Sequence, residues 1–236
     1  LCISFLHIEI LNVDIPILNT LLSNYIFSSL FVLLCFLFII NGANLIDGFN
    51  GLLAINLIII NSFLAYINLA DGINQFSVII IGQIIVLFSF LLFNFPSAKL
   101  FLGDSGSYLL GSLVALNVII TNNLNPDYSS FFFCILLFYL FFEVFFSFFR
   151  KIIQNKSPIH PDNKHLHMIL YEKISLIFGK EKGNYINSLI INLGYLAFVL
   201  PAFVFAEDPL ISRYWFFSLM AIYLVIYLRL YRLTKN

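Results

Sequence analysis

The chain has 236 residues, of which 61% are hydrophobic and only 10% are charged, and its mean hydropathy is +0.98. Soluble domains carry about 25% charged residues, so this composition excludes a chain that covers itself with charge in water and favours a lipid bilayer as its surroundings. Because the 12 basic and 12 acidic residues cancel, no basic excess indicates a nucleic-acid partner.

Long apolar runs recur along the chain, each of about 18–22 residues, the length that a helix needs to cross roughly 30 Å of hydrocarbon. They predict an all-α, polytopic transmembrane helix bundle with about seven spans in this chain, at 24–46, 51–70, 76–93, 105–121, 130–150, 188–206 and 213–231.

The connections between these runs complete the predicted organisation. Leu1 to Leu6 resemble the end of an earlier apolar helix, so we expect an N-terminal portion to be missing, with residues 7–22 forming an external loop. We expect a single transmembrane domain over 1–236 that contains one sizeable soluble loop, 151–187. A short amphipathic helix is expected near 164–178 of that loop.

The distribution of basic residues predicts the orientation. If the 41–51 turn is cytoplasmic, then 94–104, 151–187 and the tail after 231 lie on or beside the same face. Eleven of the 12 Lys and Arg residues, Lys235 included, then lie inside, and only Arg213 lies outside. Positively charged loops remain in the cytoplasm, so the polar loops are expected to face it.

The first polar motif, Asn41-Gly-Ala-Asn44-Leu-Ile-Asp47-Gly48-Phe-Asn50-Gly51, ends the first complete span. Asn41, Asn44 and Asp47 are spaced by three residues, which places them on one broad helix face. Amides and an acid beside lipid cost free energy and indicate function. The alternative is a polar helix end followed by an ordinary turn.

The second motif, Asn94 to Ser107, contains Gly103-Asp104-Ser105-Gly106-Ser107 before an apolar helix. Asp104 is a candidate Mg²⁺ ligand, because this ion prefers one or two carboxylates together with phosphate oxygens and water. Amide groups at the helix N-terminus would suit a phosphate. The alternative is that Asp104 or Ser105 is simply the N-cap of that helix.

The third motif, 157–167, brings three of the four His residues into one loop, His160, His165 and His167. A structural zinc site is not indicated, because the loop has no Cys partners and no helical His pair. His and Lys are suitable donors to phosphate oxygens; the alternative is a solvated loop. Glu143 is the one charge well within an apolar run, and we expect it to face the bundle interior in a structural or a catalytic role.

Together the motifs resemble the polyprenyl-phosphate N-acetylhexosamine-1-phosphate transferase family. The resemblance covers residues 24–231 and rests on three patterns that are specific only in combination. These are Asn-x-x-Asn-Leu-x-Asp-Gly at 41–48, Asn-x-Pro-x-Ala-x-x-Phe-x-Gly-Asp-x-Gly-Ser at 94–107 and Pro-Asp-x-x-His-x-His at 161–167.

The resemblance implies transfer of a sugar 1-phosphate from a UDP-N-acetylhexosamine to undecaprenyl phosphate or another polyprenyl phosphate, with release of UMP. The site would lie on the cytoplasmic face of the bacterial inner membrane and use Mg²⁺, with Mn²⁺ as the alternative ion; a homodimer is left open. By resemblance, the catalytic residues would be Asp47, Asp104 and His167, with both aspartates as metal ligands. The substrate-binding residues would be Asn41, Asn44, Asn50, Asn94, Gly103 and His165.

Two departures from the family pattern refine this expectation. The family's paired aspartates, which lie upstream of the first motif, are not in this chain, so the chain alone is expected to be inactive. Asn50 stands where many members have Asp, and Met168 where several have a third His, which favours the surface-polysaccharide branch over the peptidoglycan translocase. The rival interpretations are a secondary transporter, which would need polar residues in broken helices near the midplane, and a structural membrane subunit.

Overall fold

The structure is a computed structural model that describes residues 8–158, 160 and 162–233. The expected helix end at Leu1 to Leu6 and the basic residue Lys235 lie outside this part of the chain. Within it, the secondary structure consists of ten helices: α1 (Pro16–Leu22), α2 (Tyr25–Ile46), α3 (Leu52–Ala70), α4 (Asn74–Asn94), α5 (Gly103–Leu124), α6 (Ser130–Leu136), α7 (Phe138–Ile153), α8 (Leu166–Phe178), α9 (Lys180–Val204) and α10 (Pro209–Leu233).

Six of these helices, α2 to α5, α9 and α10, are long and apolar enough to cross a membrane, which confirms the all-α polytopic bundle. The predicted span at 130–150 is not one straight helix, because α6 and α7 meet at an angle of 77°. The residues at this break are Leu136, Leu137 and Phe138, so the break itself offers no polar side chain of the kind that a transporter places there.

The bent pair nevertheless carries the chain from one end of the bundle to the other. At its start, the Ser129 backbone N–H donates to the Ala206 carbonyl at the end of α9. Beyond its end, α9 begins beside the first motif, where the Asn50 N–H donates to Asn184 at 2.8 Å. Counting α6 and α7 as one crossing gives the predicted seven.

Burial divides the helices into central and peripheral ones. In the most apolar stretch of α3, more than half of the residues are buried. In the corresponding stretches of α4 and α10, most residues are not buried. The exposed surface carries large apolar side chains such as Leu92 and Val204, which suits contact with lipid. Helix α2 packs against α5 and α7, and α3 packs against α4, so the first motif ends a helix that is held from two sides.

Two glycines allow these helices to approach closely. A Cβ atom on Gly42 of α2 would lie 2.1 Å from the Leu140 carbonyl oxygen of α7. A Cβ atom on Gly111 of α5 would lie 2.9 Å from the Ala43 Cβ atom and 3.1 Å from the Ile40 Cα atom. The backbone of α2 therefore lies against both neighbours at the start of the first motif.

The predicted soluble loop at 151–187 is shorter than expected. Helix α7 continues to Ile153, and α9 begins at Lys180, eight residues before the predicted start of that span at 188. The expected amphipathic helix near 164–178 is confirmed as α8. The predicted start of α9 was too late because Lys180, Glu181 and Lys182 are charged and were assigned to the loop. In the structure these charged residues form the first turn of the helix, which extends into polar surroundings.

Candidate functional site

The first two motifs meet where α2 ends and α5 begins. The Asn44 side-chain amide donates to the Asp104 carboxylate at 2.9 Å and to the Ser107 hydroxyl at 3.1 Å. The Ser107 hydroxyl in turn donates to the backbone carbonyl of Asp104. Asp47 lies one helical turn beyond Asn44, at the C-terminal end of α2. Residues 60 positions apart in the sequence thus form one polar cluster.

The two aspartates of this cluster repel each other. Burial, and secondly the negative charge of Asp104, raise the pKa of Asp47 to about 6. Asp104 itself is exposed. Within the described residues, neither carboxylate has an ion-pair partner within 4 Å, and no group of three or more His, Cys, Asp or Glu residues is arranged to hold a metal by itself. Two unpaired carboxylates without further protein ligands suit an ion that takes its remaining oxygens from a substrate.

Two other predicted site residues join the loops instead of projecting from them. The Asn94 side chain accepts from the Gly51 N–H at 2.7 Å and donates to the Leu100 carbonyl at 2.8 Å. The Asn50 side-chain amide donates to the Pro96 carbonyl at 2.7 Å. Both residues therefore bind the turn of the first motif to the loop of the second, and their predicted contacts with a substrate stay predictions.

Gly51 is required where these loops cross. Its φ of +77° lies in the left-handed region, and a Cβ atom there would lie 2.8 Å from the Phe95 ring. Only glycine adopts this conformation without strain and leaves room for the ring.

The remaining residues of the first two motifs differ in position. Helix α5 begins at Gly103, which is exposed and has a φ of +63°, so Asp104 and Ser105 lie in the first turn and neither is the N-cap. The Asn41 side chain is exposed and donates back to the Leu37 carbonyl of its own helix. The Asn41 side chain is thus bonded within α2, and its predicted contact with a substrate stays a prediction.

The third motif is fastened to the end of α7. Arg150 donates two hydrogen bonds to the Asp162 carboxylate, at 2.8 and 3.0 Å. Although burial acts in the opposite direction, the hydrogen bonds from Arg150 and from the Lys164 N–H lower the pKa of Asp162 to about 2. Lys151 donates to the carbonyls of Pro158 and His160. The basic residues at this end of α7 therefore order the loop that follows.

His165 and His167 lie inside the protein, which differs from the expectation of an open soluble loop, and their predicted contacts with phosphate or sugar stay predictions. His165 is 4% exposed and His167 is fully buried. Their rings are stacked, with centroids 5.5 Å apart. His165 Nδ1 lies 3.2 Å from Glu143 Oε2, and His165 Nε2 lies 3.6 Å from Asp162 Oδ1. The prediction that Glu143 faces the bundle interior is confirmed, because Glu143 is 1% exposed.

His167 links this buried cluster to the first motif. Its Nδ1 atom lies 3.2 Å from the Tyr139 hydroxyl, and its ring packs edge-on against Phe49, which belongs to the turn after Asp47. Burial lowers the pKa of His167 to about 4, so the ring is neutral at pH 7. The contact with Phe49 places the third motif at the same end of the bundle as the first two. The expected convergence of Asp47, Asp104 and His167 within roughly 10–12 Å stays a prediction.

Several residues of this region could not be found from the sequence. Tyr139 and Tyr223 lie in apolar runs that predict only membrane spans, and Asn184 and Asn187 lie in what reads as a soluble loop. Asn187 donates to the His167 carbonyl at 3.0 Å. A polar residue within an apolar run is the one signal available, and it identified Glu143 alone.

The fold and the site define a polytopic helical membrane protein whose first two polar motifs meet at one end of the bundle beside Asp47 and Asp104. The family model for glycosyl transferase family 4 matches residues 1–122, which include the first two motifs. The chain belongs to this family.

A curated relative is similar over part of the chain. Undecaprenyl-phosphate alpha-N-acetylglucosaminyl 1-phosphate transferase from Thermotoga maritima is 38% identical over 84 residues. The match covers 36% of this chain and spans 28% of the length of that relative.

Proposed function

We propose that the protein transfers an N-acetylhexosamine 1-phosphate from a UDP-sugar to a polyprenyl phosphate such as undecaprenyl phosphate. The product would initiate a surface polysaccharide or another cell-envelope glycan. The observation that carries the proposal is the Asn44–Asp47–Asp104 cluster at one end of an apolar bundle, in a chain that belongs to glycosyl transferase family 4. The name of the Thermotoga relative supports the same class of acceptor and sugar.

In this reaction, an oxygen of the lipid phosphate attacks the phosphorus that carries the sugar. The bond between this phosphorus and the bridging oxygen of the diphosphate breaks, and UMP leaves with the electron pair. The acceptor lipid enters from the bilayer and the nucleotide from water, so a site at the end of a membrane bundle can reach both. We place it on the cytoplasmic face of the bacterial inner membrane, because 11 of the 12 basic residues follow that orientation.

Asp47 and Asp104 are the residues that would hold a Mg²⁺ ion, or Mn²⁺ in its place. When bound, the ion would neutralise diphosphate charge and make UMP a better leaving group. Asn44 orients the Asp104 carboxylate by its 2.9 Å hydrogen bond. Asn50 and Asn94 join the loop that follows Asp47 to the loop that precedes Asp104.

The test is an assay of UMP release by the protein expressed from its complete reading frame. It uses a panel of UDP-N-acetylhexosamines, a polyprenyl phosphate and Mg²⁺. Asp104→Asn is expected to lower the rate by about 100-fold or more, as loss of one electrostatic group of an active site commonly does, because the variant lacks a carboxylate that would hold the divalent cation. The matched control is Asp127→Asn, an exposed aspartate beyond the other end of α5, which should keep the wild-type rate. Full activity of Asp104→Asn would contradict the assigned role of Asp104.

A further inference from the structure

Glu143 is the centre of a buried hydrogen-bond cluster that the proposed reaction does not use directly. Its Oε1 atom accepts from the Tyr223 hydroxyl at 2.8 Å and from the Leu166 N–H at the start of α8 at 3.2 Å. Its Oε2 atom faces His165 Nδ1 at 3.2 Å. A side chain with this many donors around it at 1% exposure is acting as a carboxylate, because the ionised form only accepts.

The two ring nitrogens of His167 have different surroundings. Nδ1 faces the Tyr139 hydroxyl at 3.2 Å and Glu143 Oε1 at 4.0 Å. Nε2 is buried and has no hydrogen-bond partner in the described part of the chain. The ring cannot turn freely, since it stacks on His165 and contacts Phe49, while Asn187 holds the backbone carbonyl.

A neutral imidazole carries its one proton on either Nδ1 or Nε2. The negative charge of Glu143 favours the proton on the nitrogen that faces it, which is Nδ1, and the Tyr139 oxygen can accept that proton in a hydrogen bond. The partner of one ring nitrogen thereby decides what the other presents. Nε2 is left with a lone pair, so it accepts a hydrogen bond and does not donate one.

We propose that Glu143 is a positioning residue that fixes the ring and the tautomer of His167, so that Nε2 serves as an acceptor for a hydrogen-bond donor on the substrate. This inference rests on the proposed function for the identity of the substrate. It changes the expected role of His167, because a lone pair cannot bind an unprotonated phosphate oxygen. The suitable partner is a hydroxyl or an N–H group, which a UDP-sugar carries on its sugar and on its base.

The titratable groups that face the Glu143 carboxylate come from three elements. They are Tyr139 of α7, Tyr223 of α10, and the histidines that flank Leu166, namely His165 and His167. Tyr223→Phe removes one hydrogen bond to the carboxylate and keeps its charge. Glu143→Gln keeps the shape of the side chain and removes its charge. The pair of variants therefore separates the effect of the charge from that of packing.

The experiment is ¹⁵N NMR of the histidine side chains in the protein expressed from its complete reading frame. In the wild type, His167 should be protonated on Nδ1 and unprotonated on Nε2. Tyr223→Phe should keep this tautomer, whereas Glu143→Gln should raise the Nε2–H form to a detectable population. The Nε2–H tautomer in the wild type would overturn the proposal, and this measurement needs no variant to fold. An unchanged tautomer in folded Glu143→Gln would also overturn it.

Two ligands identify the donor. A shift of the His167 Nε2 signal with UDP-GlcNAc but not with UMP assigns the donor to the sugar, and a shift with both assigns it to the nucleotide. Absence of a shift in a preparation that releases UMP refutes the acceptor role. For activity, Glu143→Gln should slow UMP release by about 10-fold or more, as loss of a supporting residue commonly does, while Tyr223→Phe stays within about threefold. If the wild type releases no UMP from any UDP-sugar, the proposed function fails, and the tautomer still tests the role of Glu143.

Discussion

The contact between α2 and α7 predicts that even alanine at position 42 forces the two helices apart. The added Cβ atom would lie 2.1 Å from the Leu140 carbonyl oxygen and 2.6 Å from its carbonyl carbon. Carbon and oxygen atoms tolerate contacts down to about 3.3 Å, so the two helices must separate by roughly 1 Å. Because both neighbours of the new atom belong to the backbone, no side chain can rotate away to relieve the clash.

The magnitude follows from two opposing effects. Overpacking costs about 1–3 kcal/mol, while alanine improves helix propensity over glycine by about 1 kcal/mol. The matched control is Gly82→Ala in α4, where nothing lies within 4 Å of the added Cβ atom, so that only the propensity gain remains. The two variants should differ by the full overpacking cost, which for a chain of this size is a difference in Tm of roughly 2–12 °C.

The assay is thermal unfolding in detergent of the protein expressed from its complete reading frame, followed by tryptophan fluorescence, to which Trp215 contributes. UMP release measured on the same samples should fall in Gly42→Ala, since Asn44 is two residues away and moves with the helix. Equal Tm values for Gly42→Ala and Gly82→Ala would refute the close approach of α2 and α7, and with it the account of how Asn44 is placed.

Three further predictions concern the loops of the site. Asn94→Ala leaves the Gly51 N–H and the Leu100 carbonyl unpaired, so unfolding in detergent should show a loss of about 1–3 kcal/mol. Arg150→Gln should cost about 1 kcal/mol at pH 7, because Arg150 supplies part of the interaction that lowers the pKa of Asp162, beside the Lys164 N–H. This contribution is present above pH 3.8 and is lost as the pH falls toward 2, so the unfolding curves of wild type and variant should converge over this interval. Finally, Mn²⁺ binding measured by electron paramagnetic resonance should weaken as the pH falls through about 6, where Asp47 takes up a proton; constant affinity from pH 7 to 5 would exclude Asp47 as a ligand.

Apolar run length predicted most of the fold, because a helix in lipid must satisfy its own backbone groups over a fixed distance. It could not predict the 77° bend at Leu137, since the residues on both sides are equally apolar and no Pro or Gly marks the break. The early start of α9 at Lys180 was missed for a related reason. Hydropathy reports where the bilayer begins, whereas a helix ends where its hydrogen bonding ends.

The sequence indicated which residues belong to the candidate site, but it did not predict most of the contacts between them. The spacing of Asn44 and Asp47 indicated one helix face, but the sequence could not show that Asn44 lies against Asp104, because that contact depends on Gly111 and Gly42 bringing three helices together. Nor could it show the side-chain amides that join helices. Asn117 donates to Asn61 and to the partly buried Gln83, and in the sequence each of the three only interrupts an apolar run.

The histidines illustrate why a motif can indicate a site without assigning the role of each residue. A His-x-His pattern beside basic residues favours donors to phosphate when it is read as an exposed loop. In the folded chain, the fastening of Asp162 to Arg150 and of Leu166 to Glu143 draws the same two rings inside. Burial then keeps His167 neutral, and the neighbouring carboxylate decides which nitrogen holds the proton. The chemistry available to His167 therefore depends on Glu143, more than 20 residues earlier in the chain, and this dependence is a property of the fold.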